Sequence, residues 1–145
     1  EPDFPFCLCW ANHTWSGVWH GAPDKVLIEQ TYGGDEDFTR HFHAVLPAFR
    51  DPRYLRIGGK PVFLVYFPRD LPDCRRFTDL WRGLAVENGL PGIHFVGTVW
   101  RWQWAHKAAG FEASVANYFL PLIAQSKKKF PGQPTVYNHA QVTPR

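Results

Sequence analysis

Apolar and polar positions fall into blocks along this chain, and the spacing inside each block predicts an element. Phe4 to Trp10 is almost wholly apolar and predicts a strand, followed by a polar and aromatic loop from Ala11 to Gly21. Lys25 to Tyr32 is a second extended stretch, broken by Gly33-Gly34. Asp35 then offers a helix N-cap, and Phe38, Phe42, Val45, Leu46 and Phe49 recur every three or four residues. That is one apolar helix face, closed by Asp51-Pro52. After Tyr54 to Ile57 and a Gly58-Gly59-Lys60-Pro61 turn comes Val62 to Phe67, apolar without alternation. Such a run fits a strand buried on both faces, as parallel sheets require. Asp73 caps a second predicted helix with Phe77, Leu80, Trp81, Leu84 and Ala85 on its apolar face and Asn88-Gly89 at its end. Ile93 to Val99 predicts another strand, Trp100 to Ala109 a loop entering a short helix stopped at Gly110, and Ala113 to Tyr118 a last short strand. Gln125 to Pro134 is a polar connector, and the tail to Arg145 fits either helix or irregular chain.

Strands alternating with helices indicate an α/β fold with a parallel sheet. The chain has no Gly-rich phosphate-binding signature, which disfavours the nucleotide-binding versions. The remaining expectation is a (β/α)8 TIM-type barrel. A complete one takes about 250 residues. The 145 residues hold about four or five of its βα units, so residues 1–145 read as a single fragment of a barrel domain that lacks its remainder. The start at Glu1 and the absence of Met point the same way, to a cut or processed end.

Composition adds one unusual feature. Hydrophobic residues at 45% and charged residues at 20% are globular values, but aromatic residues reach 17%, with seven Trp. The net charge of +3 and a lone Lys127-Lys128-Lys129 run are no nucleic-acid footprint. No apolar stretch is long enough to span a membrane. Three cysteines make no disulfide scaffold. Cys7 and Cys9 read as small buried hydrophobes, and reduced thiols suit the cytoplasm.

The polar and aromatic residues gather just after the strands. Trp10, Asn12, His13, Trp15 and Trp19 follow the first, Tyr66 closes the middle one, Trp100, Trp102 and Trp104 follow the next, and Tyr118 closes the last. In a parallel barrel all strand C-termini open on one face, which is the active face. Flat aromatic rings there fit the C–H faces of a sugar, and amides, carboxylates and imidazoles fit its hydroxyls. Asn12, His13, Glu29, Gln30 and Gln103 supply such groups. Trp81 is a core residue by its helical spacing. His13, His20, His41 and His43 lack metal-ligand spacing and read as solvated or hydrogen-bonded histidines, and no cofactor motif is present. A glycosidase needs two carboxyls about 5–10 Å apart. Glu29 is one candidate, balanced between a substrate contact and a structural partner. Glu112 sits near a strand start, and Asp70 and Asp73 look like turn and cap residues. The catalytic residues therefore stay unassigned.

Phe6-Cys7-Leu8-Cys9-Trp10-Ala11-Asn12, then Trp15 and Trp19-x-Gly21, then Val26 to Tyr32, resemble the WbsX-like glycosyltransferase family, which is related to glycoside hydrolase family 99. Phe49 to Tyr66 and Gly89-Leu90-Pro91-Gly92 resemble later parts of it, so the resemblance covers about residues 4–120. It implies a (β/α)8 barrel acting on glycans, often in lipopolysaccharide or other surface-polysaccharide pathways. In family 99 it implies retaining endo-hydrolysis of mannose-containing glycans by a glutamate pair in an N-E-W-x-E-G-x-x-L-E-P-like motif. That motif is absent from these 145 residues. The family loop usually reads close to W-A-N-E-N-W-x-R-R-W-D-G. Here His13 replaces its first Glu, Gly17-Val18 the Arg pair and His20 the Asp.

The expected function is thus part of a glycan-processing hydrolase or transferase, with the catalytic glutamates beyond Arg145, a glycan or polysaccharide as partner, and little activity in the isolated chain. The alternative is a non-catalytic glycan-binding or degenerate barrel module.

Overall fold

A computed structural model describes residues 3–99 and 104–116. Strand β1 (Leu8–Trp10) leads into a hairpin of β2 (Trp15–Gly17) and β3 (Ala22–Ile28), joined by the 3-10 turn Val18–His20. Helix α1 (Gly34–Arg50) follows, then β4 (Arg56–Ile57), β5 (Lys60–Val65), the 3-10 turn Pro68–Asp70, α2 (Cys74–Glu87), β6 (His94–Val99) and β7 (Ala113–Ala116). The sheet order is β1-β5-β6-β7 with every neighbour parallel, and β4 adds a short antiparallel strand to β5. This is a mixed α/β fold with a mostly parallel sheet. Among the described residues the sheet does not close on itself.

Its two faces differ. Parallel neighbours point the same way, so the paired rows Leu8–Phe63–Phe95 and Trp10–Val65–Gly97 lie on one side. That side carries the core, with Phe63, Val65 and Phe95 buried against Phe38, Phe42, Phe49, Phe77 and Trp81 from the helices. Trp81 is the hub. It is fully buried, lies 4.7 Å from Phe63 and 4.8 Å from Phe77 between ring centres, and donates its indole N–H to the Phe38 carbonyl at 3.0 Å. The other side carries the row Cys9–Leu64–Val96–Ala113. Cys9 is exposed and Leu64 and Val96 are half-buried. Cys9 is therefore no buried hydrophobe, because its strand is the sheet edge and no described element covers that face.

The helices form where the apolar spacing places them, with corrections at their ends. Asp73 does cap α2, accepting from the Arg76 amide at 2.9 Å. Asp35 does not cap α1. The Gly33-Gly34 pair starts the helix two residues earlier, with Gly34 at φ +72, and Asp37 reaches back to the Gly33 amide. Asp35 instead ion-pairs with Arg76 and ties α1 to α2. The 11–21 loop contains β2, and the second extended stretch begins at Ala22 and stops at Ile28. Residues 106–110 form turns, not a helix, and they end at Gly110, whose φ is +87 and whose α-carbon packs against Thr78 of α2, where a Cβ would meet the hydroxyl at 2.1 Å. Glu112, just before β7, takes the Phe95 amide at 2.7 Å and the Arg82 guanidinium at 2.7 Å, which locks α2 to the start of the strands.

His41 is no solvated histidine. Its ring packs 4.7 Å from Trp10 and 5.1 Å from Trp81, and burial pushes its pKa below the ordinary 6.5, opposed by Asp37. As pH falls through that ordinary value, the unfolded chain takes up a proton that the folded chain resists, so stability must decline from about pH 7 towards pH 5. Urea midpoints measured across that range should fall, and His41→Phe should flatten the slope. Trp81→Phe, which removes the indole N–H, should cost about 1–3 kcal/mol by the same measurement.

Candidate functional site

The carboxyl ends of β1, β5 and β6 are tied together by hydrogen bonds. Tyr66 donates its amide to the Trp10 carbonyl at 2.9 Å, and the Thr98 hydroxyl donates to the Tyr66 carbonyl. Between the first two strands stands Asn12, with 0% of its surface exposed. Its side-chain amide donates to the Phe67 carbonyl at 2.7 Å, and its Oδ1 accepts the Phe67 amide at 2.7 Å. Its Nδ2 also donates to the Tyr32 hydroxyl at 3.1 Å, which in turn donates to the Asn12 carbonyl at 2.8 Å. Buried polar groups must be paired, and here the planar amide does it by imitating a strand neighbour.

Beyond these ties opens a cleft of about 320 Å³, lined by Phe67, Pro68, Arg69, Asp70, Thr98, Val99 and Trp104. It lies at the carboxyl ends of parallel strands, where open and closed α/β sheets hold their ligands. Next to it, His13 packs edge-on to Phe67 at 4.8 Å, tilted against Tyr66 at 5.8 Å, and stacked with Trp15 at 6.2 Å. An aromatic row thus runs from half-exposed Trp15 through His13 to the cleft wall. The His13 Nδ1 is buried with no hydrogen-bond partner among the described residues. Burial lowers the His13 pKa and the Asp70 carboxylate opposes that shift, so the imidazole is held towards its neutral form. A neutral imidazole both donates and accepts, as a sugar hydroxyl does.

The residues expected at the site separate in space. His13, Trp15 and Tyr66 come together beside the cleft. Trp10 turns to the helix side, 5.6 Å from Phe77 and 6.1 Å from Tyr32. Asn12 has its amide taken up by Phe67 and Tyr32. Trp19 lies in the 3-10 turn. Glu29 is exposed just past β3, and Gln30 donates its amide to the Thr14 hydroxyl, 16 residues away, and its side chain to the Thr31 carbonyl. Trp100 and Tyr118 lie outside the described residues, as do Trp102 and Gln103. Asp70, with the turn-forming look of a residue after a strand, lines the cleft, and so do Thr98 and Arg69. Their signal in the sequence was position alone, directly after β5 and at the end of β6. Among the described residues no group of His, Cys, Asp or Glu could hold a metal ion, and none of the helices is long and apolar enough to cross a membrane.

The model of the WbsX glycosyltransferase family matches residues 1–143. The chain belongs to that family. Two relatives, both called uncharacterized protein WxcX, come from Xanthomonas campestris pv. campestris strains B100 and ATCC 33913. Each is 42% identical over 90 residues, which is 62% of this chain and 13% of the relative. The chain therefore spans a small part of the proteins it matches. No solved structure matches it.

Asn12→Ala should remove the two hydrogen bonds that this side chain makes to the Phe67 amide and carbonyl. The expected cost is about 1–3 kcal/mol, with faster hydrogen exchange at the Phe67 amide than in the unaltered chain.

Proposed function

We propose that this WbsX-family chain carries part of the glycan-binding cleft of a glycan-processing enzyme built on a (β/α)8 barrel related to glycoside hydrolase family 99. The observation that carries the reading is the cleft itself. Aromatic walls (Phe67, Trp104, and His13 with Trp15 beside them) face a carboxylate, a guanidinium and a hydroxyl at the strand ends. Aromatic faces take the apolar side of a pyranose, while Asp70, Arg69 and Thr98 take its hydroxyls. Tyr66 and His13 extend the contact surface, with Trp19, Glu29, Gln30, Trp100 and Tyr118 as further contacts. Trp10 and Asn12 serve it from beneath, by fixing the strand ends.

The barrel reading draws support from the uncovered row Cys9–Leu64–Val96. A parallel sheet is normally covered on both faces, and closing into a barrel would bury this one. The acid–base carboxylate pair of a hydrolase would come from other parts of the full protein. One observation favours a second reading, a binding module without catalysis. His13, Gly17-Val18 and His20 stand where the family loop carries a carboxylate, two guanidiniums and another carboxylate. A transferase would show nucleoside-diphosphate-sugar binding, a hydrolase reducing-end release in the full protein.

Titrating mannose-containing and bacterial surface oligosaccharides against tryptophan fluorescence tests the reading. Saturable binding is expected, weakened roughly tenfold by Asp70→Asn or Trp15→Ala, with no turnover by this chain. Absence of binding to every glycan, or release of reducing sugar at enzymatic rates, would contradict it.

A further inference from the structure

Gly97 lies in the middle of β6 on the helix side of the sheet, paired with Val65 of β5 and Ser114 of β7. A glycine inside a strand marks a place where something approaches the backbone closely. Here it is the six-membered ring of Trp104. A Cβ at position 97 would stand 2.4 Å and 2.6 Å from two carbons of that ring, and 3.1 Å from Cγ of Pro68. The side-chain space of Gly97 is therefore filled by Trp104, with Pro68 on the other flank. Both Trp104 and Pro68 line the cleft. Phe111 backs the same indole at 5.0 Å between ring centres, so the ring is held from behind while it rests on the strand.

We infer that Trp104 is the stacking wall of a saccharide subsite and that Gly97 is its positioning residue, setting the width of the cleft between Trp104 and the Phe67–Asp70 turn. The inference rests on the glycan reading above and narrows it to one place and one ligand class. At about 320 Å³ the cleft is at the small end of ligand sites, so it accepts a short stretch of glycan. A ring stacked on Trp104 would turn its hydroxyls towards Asp70 and Arg69. Any side chain at position 97 would lift the indole off β6 and narrow the space left for the sugar.

The test uses the 145-residue chain labelled with 5-fluorotryptophan. The Trp104 resonance is identified by its loss in Trp104→Phe, and oligosaccharide affinity is measured in parallel. Gly97→Ala should shift the Trp104 resonance and weaken glycan binding about tenfold or more. Trp104→Phe, whose smaller ring still packs, should weaken binding severalfold. The double variant Gly97→Ala/Trp104→Phe should bind better than Gly97→Ala alone, because Phe leaves room for the new methyl. If Gly97→Ala fails to fold, Trp104→Phe carries the test alone. Undiminished affinity in Gly97→Ala, or in Trp104→Phe, would overturn the inference while leaving glycan binding intact. If the unaltered chain binds no glycan, the functional reading fails and the inference with it.

Discussion

A single buried amide keeps the strand ends of this molecule in step. Asn12 leaves β1 and meets Phe67 just beyond β5 with one hydrogen bond in each direction, so it continues the parallel ladder past the last paired residues. The Tyr32 hydroxyl holds the same amide from the far side of the β2–β3 hairpin. The cleft walls begin at Phe67 and the His13 ring begins one residue after Asn12, so both sides of the site hang from this contact. An unpaired buried amide would cost more than its pairing gains. That asymmetry makes Asn12 a fixed point rather than an adjustable one.

The sheet beneath has one finished side and one open side. On the finished side, Phe63, Phe95 and Trp10 meet Trp81, Phe77 and His41 in a continuous aromatic layer. Edge-to-face and tilted contacts dominate it, the geometry that aromatic quadrupoles favour. On the open side, Cys9, Leu64 and Val96 form an apolar row with no described cover. The cleft occupies the carboxyl ends of the strands, above the boundary between the two sides.

Much of this was legible in the sequence because it was local. The spacing of Phe38, Phe42, Leu46 and Phe49 produced α1, and Trp81 was recognisable as core from its place on the second helix. Asp73 announced its cap by chemistry that works within one turn. What the sequence concealed was long-range. Asn12 looked like a sugar ligand because its partners lie 20 and 55 residues away and leave no local trace. Trp10 sits among loop aromatics in the sequence, yet strand alternation turns it to the helix side. Asp70 looked like a turn residue, and it is one, but the turn forms the cleft wall. The role of Trp104 depends on the missing side chain of Gly97, and neither residue implies the other until β6 and the turn after it are in place.

We propose that a glycan sits at the carboxyl ends of β5 and β6. Amide chemical shifts of the isotopically labelled chain, followed while a binding oligosaccharide is added, test it most directly. The account predicts that the shifts concentrate at Phe67, Asp70, Thr98 and Trp104 and spread to His13 and Trp15. Shifts confined to the outer faces of α1 and α2, with these residues unmoved, would contradict it.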